Sequence, residues 1–75
     1  MQGTVVRGWA FSQSRNAFVL CEHLYPLRNS EQATKIFKKD YPQFVNCSLY
    51  TFTLDKEKDE GVWNAFVNSG CVTTY

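Results

Sequence analysis

The amino-acid sequence predicts an α+β fold: a small antiparallel sheet with one helix packed on one face, in the order ββαβββ. Two observations carry that expectation. Residues 29–41 have the cap, the apolar spacing and the stop signal of a helix. On both sides of them lie runs of β-branched and aromatic residues separated by polar, turn-forming stretches, which is the pattern of short strands. With 75 residues, the chain reads as a single α+β domain spanning 1–75.

The first run, Thr4-Val5-Val6-Arg7-Gly8-Trp9-Ala10-Phe11, and the second, Ala17 to Leu24, flank the polar stretch Ser12–Asn16. They predict a hairpin. The second run is apolar at both parities, which predicts the central place in the sheet. Tyr25-Pro26-Leu27-Arg28 leads into the helix, and Pro26 lacks the N–H that a ladder needs.

The helix is the most fully specified element. Asn29 or Ser30 can serve as N-cap. With Asn29 in that role, Gln32 stands at N3 and completes a capping box. Ala33, Ile36, Phe37 and Tyr41 recur at intervals of three and four and share one face. Pro42 stops the helix. Glu31, Lys35, Lys38 and Lys39 occupy the opposite face.

Phe44 to Leu54 reads as a third strand, in which Tyr50, Phe52 and Leu54 alternate with Thr51 and Thr53. Residues 55–61 form a loop of alternating charge sign. The final stretch has two readings. Val62, Trp63, Phe66 and Val67 fit a helical stripe. Gly61 is a poor helix residue, however, and Asn68-Ser69-Gly70 fits a three-residue hairpin loop with glycine at the left-handed position. The strand–turn–strand reading is favoured, with Val72 to Tyr75 as the closing strand.

Composition excludes several functions. The net charge of +1 is too small for a general polyanion binder. Six Phe, four Tyr and two Trp give a chain this short enough bulk for a core. Three cysteines cannot all pair within one chain, and no signal peptide or membrane-spanning run is visible. These features predict a soluble protein of a reducing, cytoplasmic compartment.

Candidate chemistry is sparse. Cys21 and His23 share a strand face and, with Cys47 and Cys71, offer four zinc-ligand types. The close pairing usual in structural zinc sites is missing, so no metal is expected. A Cys21–His23 nucleophilic pair lacks the contact and the third, orienting group that such catalysis needs. There is no phosphate-cradling glycine loop, and the acids of 55–60 are interleaved with lysines. The expectation is a non-enzyme without cofactor or small-molecule substrate.

Two surfaces remain as binding sites. Lys35, Lys38 and Lys39 form the only same-sign cluster on a rigid element. The run Arg7-Gly8-Trp9-Ala10-Phe11, with Arg15 in the following turn, offers strand aromatics that could stack on single-stranded nucleic acid. The competing expectation places Trp9 and Phe11 beneath the helix, as core. This run resembles the basic–Gly–aromatic–small–aromatic strand of RRM domains. The first twenty residues resemble the start of a cold-shock domain.

Two further segments, Gln32-Ala33-x-x-Ile36-x-x-Lys39 and Gly61-Val62-Trp63-x-Ala65-Phe66 with Gly70 after them, resemble a family of small phage-encoded anti-CRISPR proteins, the ninth of the type I-F class. That resemblance implies a small antiparallel sheet crossed by one helix. It also implies docking on the backbone subunits of a CRISPR surveillance complex, where the protein obstructs pairing of target DNA with the guide. The matching basic helix positions are Lys35 and Lys39. The sequence therefore leads to a phage or mobile-element inhibitor that docks on a bacterial protein or nucleoprotein, with single-strand nucleic-acid binding as the alternative.

Overall fold

The computed structural model describes residues 1–74. The chain folds as α+β around a three-stranded antiparallel sheet. β1 spans Gln2–Ser12, β2 Ala17–Pro26, α1 Ser30–Asp40, β3 Tyr50–Asp55 and α2 Glu60–Asn68, with a short 3-10 turn at Pro42–Phe44 between α1 and β3. The strand order is β2-β1-β3. β1, not β2, is central. β2 is apolar at both parities for a different reason: one of its faces packs on α1, and the other carries exposed apolar side chains at Phe18 and Leu20.

β1 and β2 pair without a break from Gly3↔Pro26 to Ser12↔Ala17. The continuous register assigns the faces. Val6, Gly8 and Ala10 of β1 point the same way as Tyr25, His23 and Cys21 of β2, and α1 covers this side. Val6, Tyr25, Ala33, Phe37 and Phe44 form its buried cluster. Val5 and Leu24 point the other way and pack with Leu54 and Trp63 beneath α2. The sheet is thus covered by a helix on each face.

α1 forms as its residues dictate. The Asn29 side chain accepts from the Gln32 N–H at 2.8 Å, and the Gln32 side chain accepts from the Asn29 N–H at 3.2 Å. Each bond satisfies a donor that the helix start leaves orphaned.

α2 is the main departure from expectation, since a hairpin was expected over 62–75. Residues 60–68 are helical, and Gly70, at φ +76°, ends the helix. The Cys71 N–H reaches the Phe66 carbonyl at 2.9 Å, and the Gly70 N–H reaches Val67 at 3.1 Å. This pair of bonds is a Schellman termination. A left-handed glycine serves a hairpin loop and a helix end equally well. The loop before α2 is fixed by Asp55, whose carboxylate accepts from the Lys58 and Glu57 N–H groups at 3.1 and 2.9 Å. The Lys58 bond first, with help from Glu57, holds that carboxyl below its usual range.

Beyond α2 the chain runs as a strap beside β2. The Leu24 N–H donates to the Cys71 carbonyl and the Leu24 carbonyl accepts from the Thr73 N–H, at 2.9 and 3.0 Å. The expected closing strand is only this single parallel bridge, Leu24↔Val72; Tyr75 lies outside the described residues. The expected third strand is also shorter. Pro42 opens the 3-10 turn, Phe44 is buried from it, and pairing begins only at Tyr50. No helix among the described residues is long and apolar enough to cross a membrane.

The two helices cover the sheet unequally. At 1.5 Å per residue, the nine residues of α2 reach about 13 Å. At 3.3 Å per residue, the eleven of β1 reach about 36 Å. β3 stops opposite Arg7, so the far halves of β1 and β2 extend as a two-stranded arm. The overall extents of 38 × 23 × 18 Å reflect it.

Candidate functional site

Two surfaces stand out, on opposite sides of the sheet. The first is the outer face of α1. Ala33 and Phe37 turn into the core, which points Lys35 and Lys39, four residues apart, to water. Arg28, from the connection before the helix, joins them. With Gln32 and Ile36 these residues line a shallow depression of about 350 Å³. Lys38 is not part of it; it is half-buried and, by helical geometry, on the other flank. The Glu31–Lys35 pair is long, at 3.8 Å, and fully in water, so it holds Lys35 only weakly.

The second surface is the arm. Trp9 and Phe11 do not lie beneath α1. Their odd positions put them with Val5, on the face that α2 would have to cover, and α2 is too short to reach them. Trp9 is 58 % exposed, Phe11 52 % and Phe18 68 %. Cross-strand pairing sets Trp9 beside Leu20 and Phe11 beside Phe18; the Phe11 and Phe18 rings meet edge to face at 5.5 Å. Tyr50, also exposed, borders the patch from β3.

Arg7 sits at the base of the arm. Its guanidinium lies 5.3 Å from the Phe52 ring centre and 6.0 Å from that of Tyr50. It also donates to the Glu22 carboxylate at 3.2 Å. Arg7 is therefore neutralised where it stands. Arg15 is exposed in the turn at the tip of the arm.

His23 is held in a hydrogen-bonded network that also involves Tyr41 and Thr73. The His23 ring nitrogens face two hydroxyls: Nε2 meets Thr73 Oγ1, and Nδ1 meets Tyr41 Oη at 3.1 Å. Burial pushes the His23 pKa down against the opposing pull of Asp40, so the ring is neutral at neutral pH. Burial, then the nearby Cys71, pushes the Cys21 thiol up. A protonated thiol is a poor nucleophile. The network ties the strap, β2 and the end of α1 together. Among the described residues, no three His, Cys, Asp or Glu side chains converge in a way that could hold a metal ion.

No protein family, curated protein or solved structure matches this chain. The surfaces therefore stand on their geometry. Sequence reasoning named Lys35, Lys38, Lys39, Trp9, Phe11, Arg7 and Arg15, of which Lys38 falls outside the depression, but missed Arg28, Phe18, Leu20 and Tyr50. Phe18 and Leu20 were within reach: a hairpin closed at Ser12–Ala17 sets them opposite Phe11 and Trp9. Nothing in the local sequence places Arg28 beside a helix face that starts after it.

Proposed function

We propose that the protein is a non-enzymatic binding protein that docks on a larger bacterial protein or nucleoprotein and obstructs access to it. The docking surface is the outer face of α1. One observation carries this reading: Lys35 and Lys39 flank Ile36 on a helix fixed by its capping box and by two core anchors, and Arg28 borders them from the preceding connection. Cations on a rigid element act together on an approaching acidic or phosphate-bearing surface. Ile36 and the lysine stems add apolar contact beneath the charges. A CRISPR surveillance complex, the assembly that the sequence resemblance implies, is one nucleoprotein of this kind.

The experiment is capture from a bacterial lysate, followed by titration of the captured assembly with three proteins at two salt concentrations. These are the wild type, Lys35→Glu/Lys39→Glu, and the control Lys56→Glu/Lys58→Glu. Support is an affinity that falls with salt and with the helix reversal but survives the loop reversal. A helix variant that binds like wild type would remove this surface from the reading.

A further inference from the structure

The aromatic face of the arm needs a cover that the described residues do not provide. A whole aromatic side chain offers roughly 150–250 Å². Exposures of 58, 52, 68 and 62 % at Trp9, Phe11, Phe18 and Tyr50 therefore leave on the order of 500 Å² of aromatic surface on this face in water. That is at the upper end of what monomers expose, about 300–600 Å². A stable interface of standard size needs about 800 Å² per partner. Leu20 within the patch, and the exposed Val62 of α2 at its edge, extend it toward that figure.

The charges on this face select the occupant. A nucleic acid needs unpaired cations to meet its phosphates. Here Arg7 is held by Glu22 at 3.2 Å, and Arg15 lines a depression with Ala10, Val19 and Cys21, which belong to the other face of the arm. A strongly acidic or basic protein would find no complementary field. With Arg7 and Glu22 paired within each chain, the face presents an apolar centre without net charge, so a second copy meets no like-charge repulsion across a two-fold interface.

The shape points the same way. α2 lies as a ledge on the base of this face and leaves the arm bare beyond it. Two sheets pack about 10 Å apart, a layer comparable in thickness to the helix itself. Two arms laid face to face and antiparallel would each continue the layer that the partner's α2 begins. The tip of each arm would then reach a groove of about 300 Å³ at the partner's ledge, lined by Leu20, Val62, Ala65 and Phe66. We infer that the protein associates with a second copy of itself through the aromatic face of the β1–β2 arm, with the arm tip of each copy seated in the α2–β2 groove of the other. The inference is independent of the reading of α1, which lies on the opposite side of the sheet and stays free in such a dimer.

Sedimentation equilibrium over a broad concentration range tests it. The expected species is twice the 8.7 kDa chain. Trp9→Lys/Phe18→Glu should be monomeric throughout, and so should Ala65→Arg, which fills the groove from the α2 side. All three altered side chains are exposed, so far-UV circular dichroism should match wild type. In Trp63→Phe, which leaves Trp9 as the sole indole, the emission should shift to the blue as concentration rises. Three results would overturn the inference: a wild type monomeric at every concentration, a dimer that survives either the arm or the groove substitution, and monomeric protein binding a labelled oligothymidylate through Trp9.

Discussion

Gly8 of β1 lies directly under the ring of Phe44: a β-carbon at Gly8 would stand 2.8 Å from that ring and 2.9 Å from Leu49. The glycine lets the 3-10 turn close onto the sheet, and both neighbours belong to the α1-side core. Gly8→Ala should destabilise the domain by about 1–3 kcal/mol, the usual cost of overpacking. Chemical denaturation measures it; an unchanged midpoint would show that the turn gives way freely.

Phe37 is fully buried, with its ring centre 4.9 Å from that of Tyr41 and 5.2 Å from that of Phe44. Phe37→Ala should cost about 3–5 kcal/mol. At about 0.05–0.15 kcal/mol per residue, that is a large share of the stability of a domain this size. The melting temperature should fall steeply, with cooperativity lost if the domain is marginal.

His23 makes stability depend on pH. Its folded pKa lies below the ordinary value of about 6.5, so near that pH the unfolded chain binds a proton that the folded state does not. The contribution is intact above about pH 6.5 and is lost as pH falls from there toward the folded pKa. A denaturation series from neutral to mildly acidic pH should show this decline. His23→Gln should lower stability at every pH, because it disturbs the Tyr41 and Thr73 bonds, and should flatten the slope in that window.

Leu27 has φ +64° and is highly exposed. A side chain in the left-handed region costs about 1–2 kcal/mol. Leu27→Gly removes that strain, and the greater freedom of the unfolded glycine chain offsets part of the gain. A net stabilisation of up to about 1 kcal/mol is expected, read as a rise in melting temperature of a few degrees.

Reversing Lys35 and Lys39 to Glu should leave the fold intact, because both side chains point to water. It should weaken binding to the captured assembly at least about tenfold, or 1.4 kcal/mol. Lys56→Glu/Lys58→Glu should do much less, since Glu57, Asp59 and Glu60 already cancel those lysines locally. Isothermal titration of both variants checks the contrast.

The residues that were legible in advance share a property: their meaning is local. Asn29 and Gln32 define a cap within four residues, and Ala33, Ile36 and Phe37 define a face within one helix. Tyr50, Phe52 and Leu54 mark their strand by alternation. What was not legible depends on distant partners. Gly61 and Gly70 argue against a helix only until Trp63 finds Val5, Leu24 and Leu54, a contact that no local propensity reports. The side on which Trp9 and Phe11 fall follows from parity, but which side α1 takes does not. Phe44 read as strand because a buried aromatic ahead of an alternating run looks continuous with it. The candidate surface on α1 was half legible: Lys35 and Lys39 from helical spacing, Arg28 only from the path of the connection.

The early end of β3 gives the sheet two dynamic regimes. From Gly3 to Arg7, β1 is hydrogen-bonded on both sides, and both faces are covered. From Gly8 to Ser12 it has β2 alone, and a two-stranded ribbon is marginal by itself. Amide protons of Ala10, Val19 and Cys21 should exchange with solvent deuterium by fraying from the tip. Those of Val6, His23 and Tyr25 should exchange only when the whole molecule opens. The protein would then behave as a firm base carrying a blade that softens toward its tip, beyond the contacts of Gly8, Ala10 and Cys21 with the core.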